Sequence, residues 1–351
     1  MDLVYNISTM KDLRQRIGDP KQIAGYQRVQ LQEGRGRGNE LLFVRNGSGL
    51  TFQISISRAF DIGLCELFSI PISWLSAAGP VSPAFYEKDG REWNRSFEGG
   101  LLATGGLTYM GKPNVDEGEA LGLHGRISST PAELLRSEAV QTNDTYELMF
   151  QGRVRQSSAI GEHITLTRTI RTSMGINRIS IVDEITNEAF SPVEHMVLYH
   201  FNLGFPLISE TCRIHIPEAQ TRRWIQGSGP LEGWDRFKEP SDRAPTVLLH
   251  EGVQDENGWI QISVENEVLL NNREQTLRVC ICYPREACPF LSQWQNSTRG
   301  EYVLGLEPGN TSTEGRALHR KRGTLPYLQP QETRRYEFLV DFSLLDECIK
   351  G

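Results

Sequence analysis

Between Thr145 and Asn187 the chain reads TYELMFQGRVR, a polar turn, HITLTRTIRT, then SMGIN and RISIVDEITN. Apolar and polar residues alternate along each run, and the connections between runs are only a few residues long. Alternation of this kind describes strands with one face buried and one wet. Connections this short leave no room for the crossover helix that parallel strands require. The meander must therefore be antiparallel. Further strand candidates lie at 193–203, 212–216, 246–250, 258–265, 275–283, 301–306 and 334–342. Earlier, Glu40–Arg45 and Leu50–Ser57 flank Asn46–Gly47–Ser48–Gly49, a strong hairpin turn. Only residues 9–17, stopped by Gly18, and Ala132–Ser137 offer short helices. Many strands without alternating helices predict an all-β fold, and at 351 residues a large antiparallel two-sheet sandwich. No linker and no internal repeat interrupts the pattern. The expected organisation is one domain over residues 41–351, with residues 1–40 as an N-terminal decoration.

Charge and cysteine content narrow the partners. The net charge of −7 and the lack of a basic stripe argue against nucleic acid or an anionic membrane. The basic clusters Arg35–Arg37, Arg222–Arg223 and His319–Arg322 are short and read first as solvated loops. The latter two are weak candidates for binding a phosphate or carboxylate on a substituted sugar. No stretch approaches the ~18–20 apolar residues of a membrane helix, and the N-terminus carries no apolar signal core. Six cysteines, Cys65, Cys212, Cys280, Cys282, Cys288 and Cys348, show no paired zinc-type spacing. They are expected to be reduced and mostly buried, in a cytoplasmic protein that uses no metal or cofactor and is a monomer or homodimer.

One strand carries chemistry. Leu198–Tyr199–His200–Phe201–Asn202–Leu203–Gly204 is an apolar run bounded by Pro192 and Pro206. Period-2 alternation puts His200 and Asn202 on one face, and Tyr199, Phe201 and Leu203 on the other. Glycine-rich polar segments surround it in sequence: Ser57–Gly63 (SRAFDIG), Phe97–Leu107 (FEGGLLATGGL), Leu121–Ile127 (LGLHGRI), Glu232–Pro240 (EGWDRFKEP) and Gly305–Asn310 (GLEPGN). Glycine lets backbone approach a ligand closely, and loops on a rigid scaffold often carry sites. Glu307 ends an apolar strand just before Pro308–Gly309, so a strand end would place it.

Taken in order, His124 in HGRI, His200 in LYHFNLGFP, Glu307 in LGLEPGN and a closing strand after LQPQETRRYEF resemble the aldose 1-epimerase (galactose mutarotase-like) superfamily. Within it they resemble a bacterial, DUF4432-like branch with RGxDIG-like, GGLLxTxGL and HGR segments. The resemblance spans roughly residues 40–345, with 200 − 124 = 76 residues between the histidines and 307 − 200 = 107 to the glutamate. It implies a β-supersandwich with a sugar pocket on the concave face of one sheet. It also implies an enzyme that interconverts the anomers of a free aldose, with Glu307 as general base and His200 as general acid. His124 would be a ligand to a hydroxyl or to the ring oxygen.

Some positions depart from the superfamily pattern. FEGGLLATGG stands where an Asn-Arg pair is usual, YHFNLG replaces a sequence closer to NHSYFNL, and Asp235 is the only counterpart of a substrate-binding aspartate. The resemblance thus implies that the acid and base are kept while the groups that select among sugar hydroxyls differ. Arg126, two residues beyond His124, would lie on the same side of an extended chain and could bind substrate or brace a carboxylate. Arg58 and Asp61 could form a turn salt bridge or contact sugar hydroxyls. Asn202 could orient His200 or bind substrate. Trp234, Asp235 and Arg236 could supply a stacking face and polar contacts. The competing readings are a noncatalytic carbohydrate-binding protein, or another sugar isomerase, lyase or hydrolase on the same scaffold. A hydrolase would usually need two carboxylates across the bond.

Overall fold

The computed structural model describes residues 4–223, 233–270 and 272–346. Two large antiparallel sheets, of eleven and eight strands, stack face to face. The eight-stranded sheet runs in the order Arg213–His215, Trp259–Leu270, Arg273–Pro284, Thr333–Asp346, Ile176–Asn187, His163–Ser173, Tyr146–Ser157 and Ala132–Gln141. The 145–187 meander forms as its alternation demands. Leu148, Phe150 and Val154, then Ile164, Leu166 and Ile170, then Ile179, Ile181 and Ile185 all turn into the core. The expected helix at Ala132–Ser137 is instead the start of the edge strand Ala132–Gln141, paired with Tyr146–Ser157. A neighbouring strand with free backbone donors and acceptors outweighs a weak local helix preference. The N-terminal helix is shorter than its pattern, Met10–Arg14, with the Thr9 hydroxyl accepting the Asp12 N–H at 3.1 Å. Met10 and Leu13 pack into the main core, and Gly25–Gln30 pairs with Glu40–Arg45 at a sheet edge.

The eleven-stranded sheet positions the site. Its middle runs Leu102–Leu107, Met196–Leu203, Val303–Gly309, Phe290–Asn296 and Thr246–Glu251. All eight residues of Met196–Leu203 are buried. One face of that strand meets the second sheet, where Phe201 and Tyr199 pack on Phe338. The other face lies under loops. Burial on both faces explains why this stretch is almost continuously apolar.

A charged cluster sits between the sheets. The Arg168 guanidinium is fully buried and donates to Asp183 at 2.8 and 2.7 Å and to Asp61 at 2.5 Å. Thr104 Oγ1 accepts from it at 2.9 Å, and the Tyr199 hydroxyl donates to Asp183 at 2.8 Å. This cluster locks the Met196–Leu203 strand to the opposite sheet directly beneath His200.

Cys65, Cys212 and Cys288 are buried, Cys280 and Cys282 are half-buried with their sulfurs 3.8 Å apart, and Cys348 lies outside the described residues. Among the described residues no helix is long and apolar enough to cross a membrane.

Candidate active site

Strand register brings the acid and base candidates together. Phe201 pairs with Leu306 and Leu198 with Gly309, which sets His200 opposite Glu307 on the adjacent strand. Side chains directly opposite on one face approach within a few ångströms. His200 Nε2 lies 3.1 Å from Glu307 Oε1, with side-chain exposures of 6% and 4%. Gly305 occupies the same face two residues from Glu307. A Cβ there would stand 2.8 Å from Glu307 Oε1 and 2.9 Å from His200 Cε1. Any side chain at Gly305 would therefore have to push one member of the pair aside.

The pair forms part of the lining of a cavity of about 390 Å³. Its walls are aromatic. Trp93 stacks on Phe97 at 4.4 Å between ring centroids, and the Phe97 and Trp294 rings meet His200 at 5.5 and 5.7 Å. His124 completes the constellation. Its ring stands perpendicular to His200 at 5.7 Å and against Trp93 at 5.0 Å. Polar groups ring the opening, among them Arg91, Asn94, Lys112 and Glu301. Flat apolar rings beside a few directed polar groups suit a molecule with one C–H face and several hydroxyls.

His124 owes its position to an unusual turn. It and Gly125 both adopt left-handed backbone, φ 52° and 74°. Its amide donates to Gly111 O, and its carbonyl accepts from the Gly106 amide, each at 3.0 Å. A Cβ at Gly125 would stand 2.5 Å from Gly106 O, so only glycine fits this close approach. The glycines of GGLLATGGL and LGLHGRI thus clamp the histidine loop onto the Leu102–Leu107 strand.

Burial dominates the electrostatics. It pushes the Glu307 carboxyl up to about 8 and His200 down to about 3, where His124 adds to the fall. His124 falls to about 4, by burial first and the Arg91 charge second. Charged forms are disfavoured throughout, so the His200–Glu307 pair holds one proton between two neutral partners at neutral pH. The Nδ1 atoms of His124 and His200 have no hydrogen-bond partner. Among the described residues no group of three His, Cys, Asp or Glu side chains is arranged to hold a metal ion.

Comparison with known proteins agrees with this architecture. Residues 36–342 match the family described as a domain of unknown function, DUF4432. The chain belongs to the DUF4432 family. None of the curated proteins compared with it matches. Among solved structures it resembles a candidate aldose 1-epimerase from Klebsiella pneumoniae, with 24% identity, TM-score 0.83, and 96% of this chain and 87% of that one covered. A galactose mutarotase-like protein from Clostridium acetobutylicum has 11% identity and TM-score 0.61, with 93% and 99% covered. Galactose 1-epimerase from Lactobacillus acidophilus has 12% identity and TM-score 0.57, with 92% and 99% covered. At these identities the likeness establishes the galactose mutarotase-like fold.

Other candidate residues of this DUF4432 protein lie elsewhere. Arg126 does not join His124, because the left-handed turn at His124–Gly125 breaks the extended alternation and sends it to a separate cavity. Asp61 faces the interior and is consumed by Arg168 and by Thr104, whose N–H donates at 2.9 Å. Arg58 donates to Val81 O at 3.0 Å and Ser96 O at 2.7 Å, so it braces the aromatic loop from behind. Asn202 shares His200's face, but its amide donates to Gly100 O and His200 O, each at 3.0 Å. Trp234 packs against His250, and its carbonyl accepts from Gln293 and Gln295. Neither it nor Asp235 or Arg236 lines the cavity.

The basic run His319–Arg322 forms the last turn of the helix Arg316–Arg322. There Arg320 is paired to Asp116 and Glu194, and Arg322 to Glu314. The side chains of Arg222 and Arg223 lie outside the described residues.

Trp93 and Trp294 escaped the sequence reading. They lie 201 positions apart (294 − 93), and only the aromatic-dense stretch from Phe85 to Phe97 hinted at a wall.

Proposed function

We propose that this protein is an aldose 1-epimerase-like enzyme that interconverts the anomers of a free sugar. The observation that carries the reading is the His200–Glu307 pair, 3.1 Å apart in an aromatic-walled cavity. The names of its structural neighbours, a candidate aldose 1-epimerase and a galactose 1-epimerase, support it.

Anomer exchange needs one proton removed from the C1 hydroxyl and one delivered to the ring oxygen. Both oxygens sit on the same carbon, so two groups in mutual contact can reach both at once. Proton transfer along the His200–Glu307 contact converts the neutral pair into imidazolium and carboxylate. The Glu307 carboxylate then takes the C1 hydroxyl proton while His200 gives its proton to the ring oxygen. The C1–ring oxygen bond breaks, the aldehyde forms, and C1 rotates. Closure on the other face returns both protons. His124 supplies a hydrogen bond to a ring substituent, and the Trp93, Phe97 and Trp294 rings cover the apolar sugar face. The test is anomer exchange by NMR across aldoses, including pentoses, deoxysugars and uronic acids. Acceleration of at least one sugar supports the reading, and none on the whole panel overturns it.

Two predictions arise here. The working pair carries one proton, and burial sets its loss near pH 8 and its doubling near pH 3. Below the upper value the proton is retained and exchange proceeds. Above it the pair is unprotonated, no acid remains, and the rate falls by about tenfold per pH unit. A pH–rate profile checks this, and a rate still climbing past pH 9 (about one unit beyond the upper limit) contradicts it. The second concerns Gly305. Gly305→Ala places a methyl against both reacting groups, and exchange should fall about 10²-fold, with an overpacking loss of about 1–3 kcal/mol in stability. Near-normal exchange would show that the pair tolerates displacement.

A further inference from the structure

Behind the His124–Gly125 turn lies a second cavity, of about 300 Å³. It shares no lining residue with the first. The loop divides them: Leu123 and His124 line one cavity, while Gly122, Gly125 and Arg126 line the other. The mechanism above uses nothing in this second space.

Its lining contains a group that lacks a partner. Tyr109 is only 6% exposed, and its hydroxyl has no hydrogen-bond partner. The hydroxyl proton thus has no acceptor within the protein and is free to be donated to a ligand oxygen. Buried hydroxyls are almost always satisfied, and one that is not, at a cavity wall, points to a ligand atom.

Charge indicates what kind of atom. Arg316 at this cavity is consumed by Asp116 and Glu119, at 2.6 and 2.5 Å. Of the acids, Glu119 is thereby neutralised, Glu194 is held by Arg320 at 2.5 Å, and Glu162 accepts from the Ser158 hydroxyl at 3.2 Å. Lys88 and Arg126 make no ion pair among the described residues. Two uncommitted cations thus face the cavity against one uncommitted carboxylate, that of Glu162. Thr108 and Gln156, joined at 3.1 Å, add polar wall rather than apolar surface.

We propose that this second cavity binds a small hydroxylated molecule bearing one oxyanion, carboxylate or phosphate. Arg126 and Lys88 hold the anion, and the Tyr109 hydroxyl donates to a ligand oxygen. The volume suits a molecule of monosaccharide size. The site is separate from the proposed reaction and stands whether or not that reaction is correct.

Calorimetric titration of the whole protein tests it, with galacturonate as the carboxylate probe, glucose 6-phosphate as the phosphate probe and galactose as the neutral control. At least one anionic probe should bind, with affinity reduced about tenfold by Arg126→Gln and severalfold by Tyr109→Phe. Arg91→Gln, at the mouth of the first cavity, should leave that affinity unchanged. The probe that binds distinguishes carboxylate from phosphate. Arg126 is exposed and Tyr109→Phe removes one atom, so both variants should melt like the wild type. Three results overturn the proposal: neither anion binds at millimolar concentration, binding is indifferent to Arg126→Gln or to Tyr109→Phe, or Arg91→Gln weakens it equally.

Discussion

Glu307→Gln should slow the proposed anomer exchange by about 10²–10⁴-fold and leave the protein folded, as expected for loss of one positioned proton-transfer group. Glutamine has the same shape and can keep the contact with His200, so the cavity should survive. What it cannot do is exchange a proton. The wild-type carboxyl is already held mostly neutral by burial, at about 8, so glutamine does not strand a charge. Stability should therefore hold or rise slightly, separating a chemical role from a structural one. His200→Asn should cost a similar factor, and the double variant little more, because the two groups act as one unit. NMR exchange rates and thermal melting on the same samples decide it. Wild-type rates in Glu307→Gln would remove Glu307 from the mechanism. Sugar binding by both proteins, with no exchange even in the wild type, would favour a carbohydrate-binding protein.

Arg168→Met should destabilise the fold by about 3–5 kcal/mol, the usual effect of removing one partner from a buried ion pair. Methionine roughly fills the volume, so the loss is electrostatic. Asp61 and Asp183 would face each other across the interior without the guanidinium that joins them. Burial alone already raises Asp61, and Arg168 is the first influence opposing it. Without the arginine, that carboxyl would take up a proton to remain buried. Arg168→Lys should also destabilise, because an ammonium cannot reproduce the two-pronged bond to Asp183. Denaturant unfolding measures the loss. Arg168→Met combined with Asp183→Asn should lose clearly less than the sum of the single variants, since they share one network. Strict additivity would mean the cluster is not coupled. Tyr199 binds Asp183 and adjoins His200, so residual exchange in Arg168→Met should also fall.

Much of the scaffold was legible in the chain. Alternation at 145–187 is a direct consequence of a strand's two faces, and the predicted strands formed, although those expected at 258–265, 301–306 and 334–342 continue to Leu270, Gly309 and Asp346. The same rule put His200 and Asn202 on one side and Tyr199 and Phe201 on the other, as the structure has them. Where a local rule failed, its assumption had failed first. Arg126 was placed beside His124 on the premise of extended backbone, and two consecutive left-handed residues void that premise. The 132–137 segment looked helical only while its strand partner was unknown.

The sequence by itself determined most of the strands, their antiparallel sense and the two faces of the His200 strand, because these follow from periodicity and turn chemistry over a few residues; the strands Asp61–Leu67, Leu102–Leu107 and Phe290–Asn296 of the site sheet lack that alternation and appeared only in the structure. That His124, His200 and Glu307 belong together came from their order in the chain, through family resemblance rather than physics. Only the tertiary structure decided what surrounds them. Asp61 is a partner of Arg168 rather than of a ligand because the two sheets stack there, 107 positions apart in the chain (168 − 61). Trp93 and Trp294 wall one cavity because a loop folds over the sheet, and Tyr109 faces a different cavity because a left-handed turn divides the space. Such contacts join residues far apart in sequence, and burial, not spacing, sets their charge state.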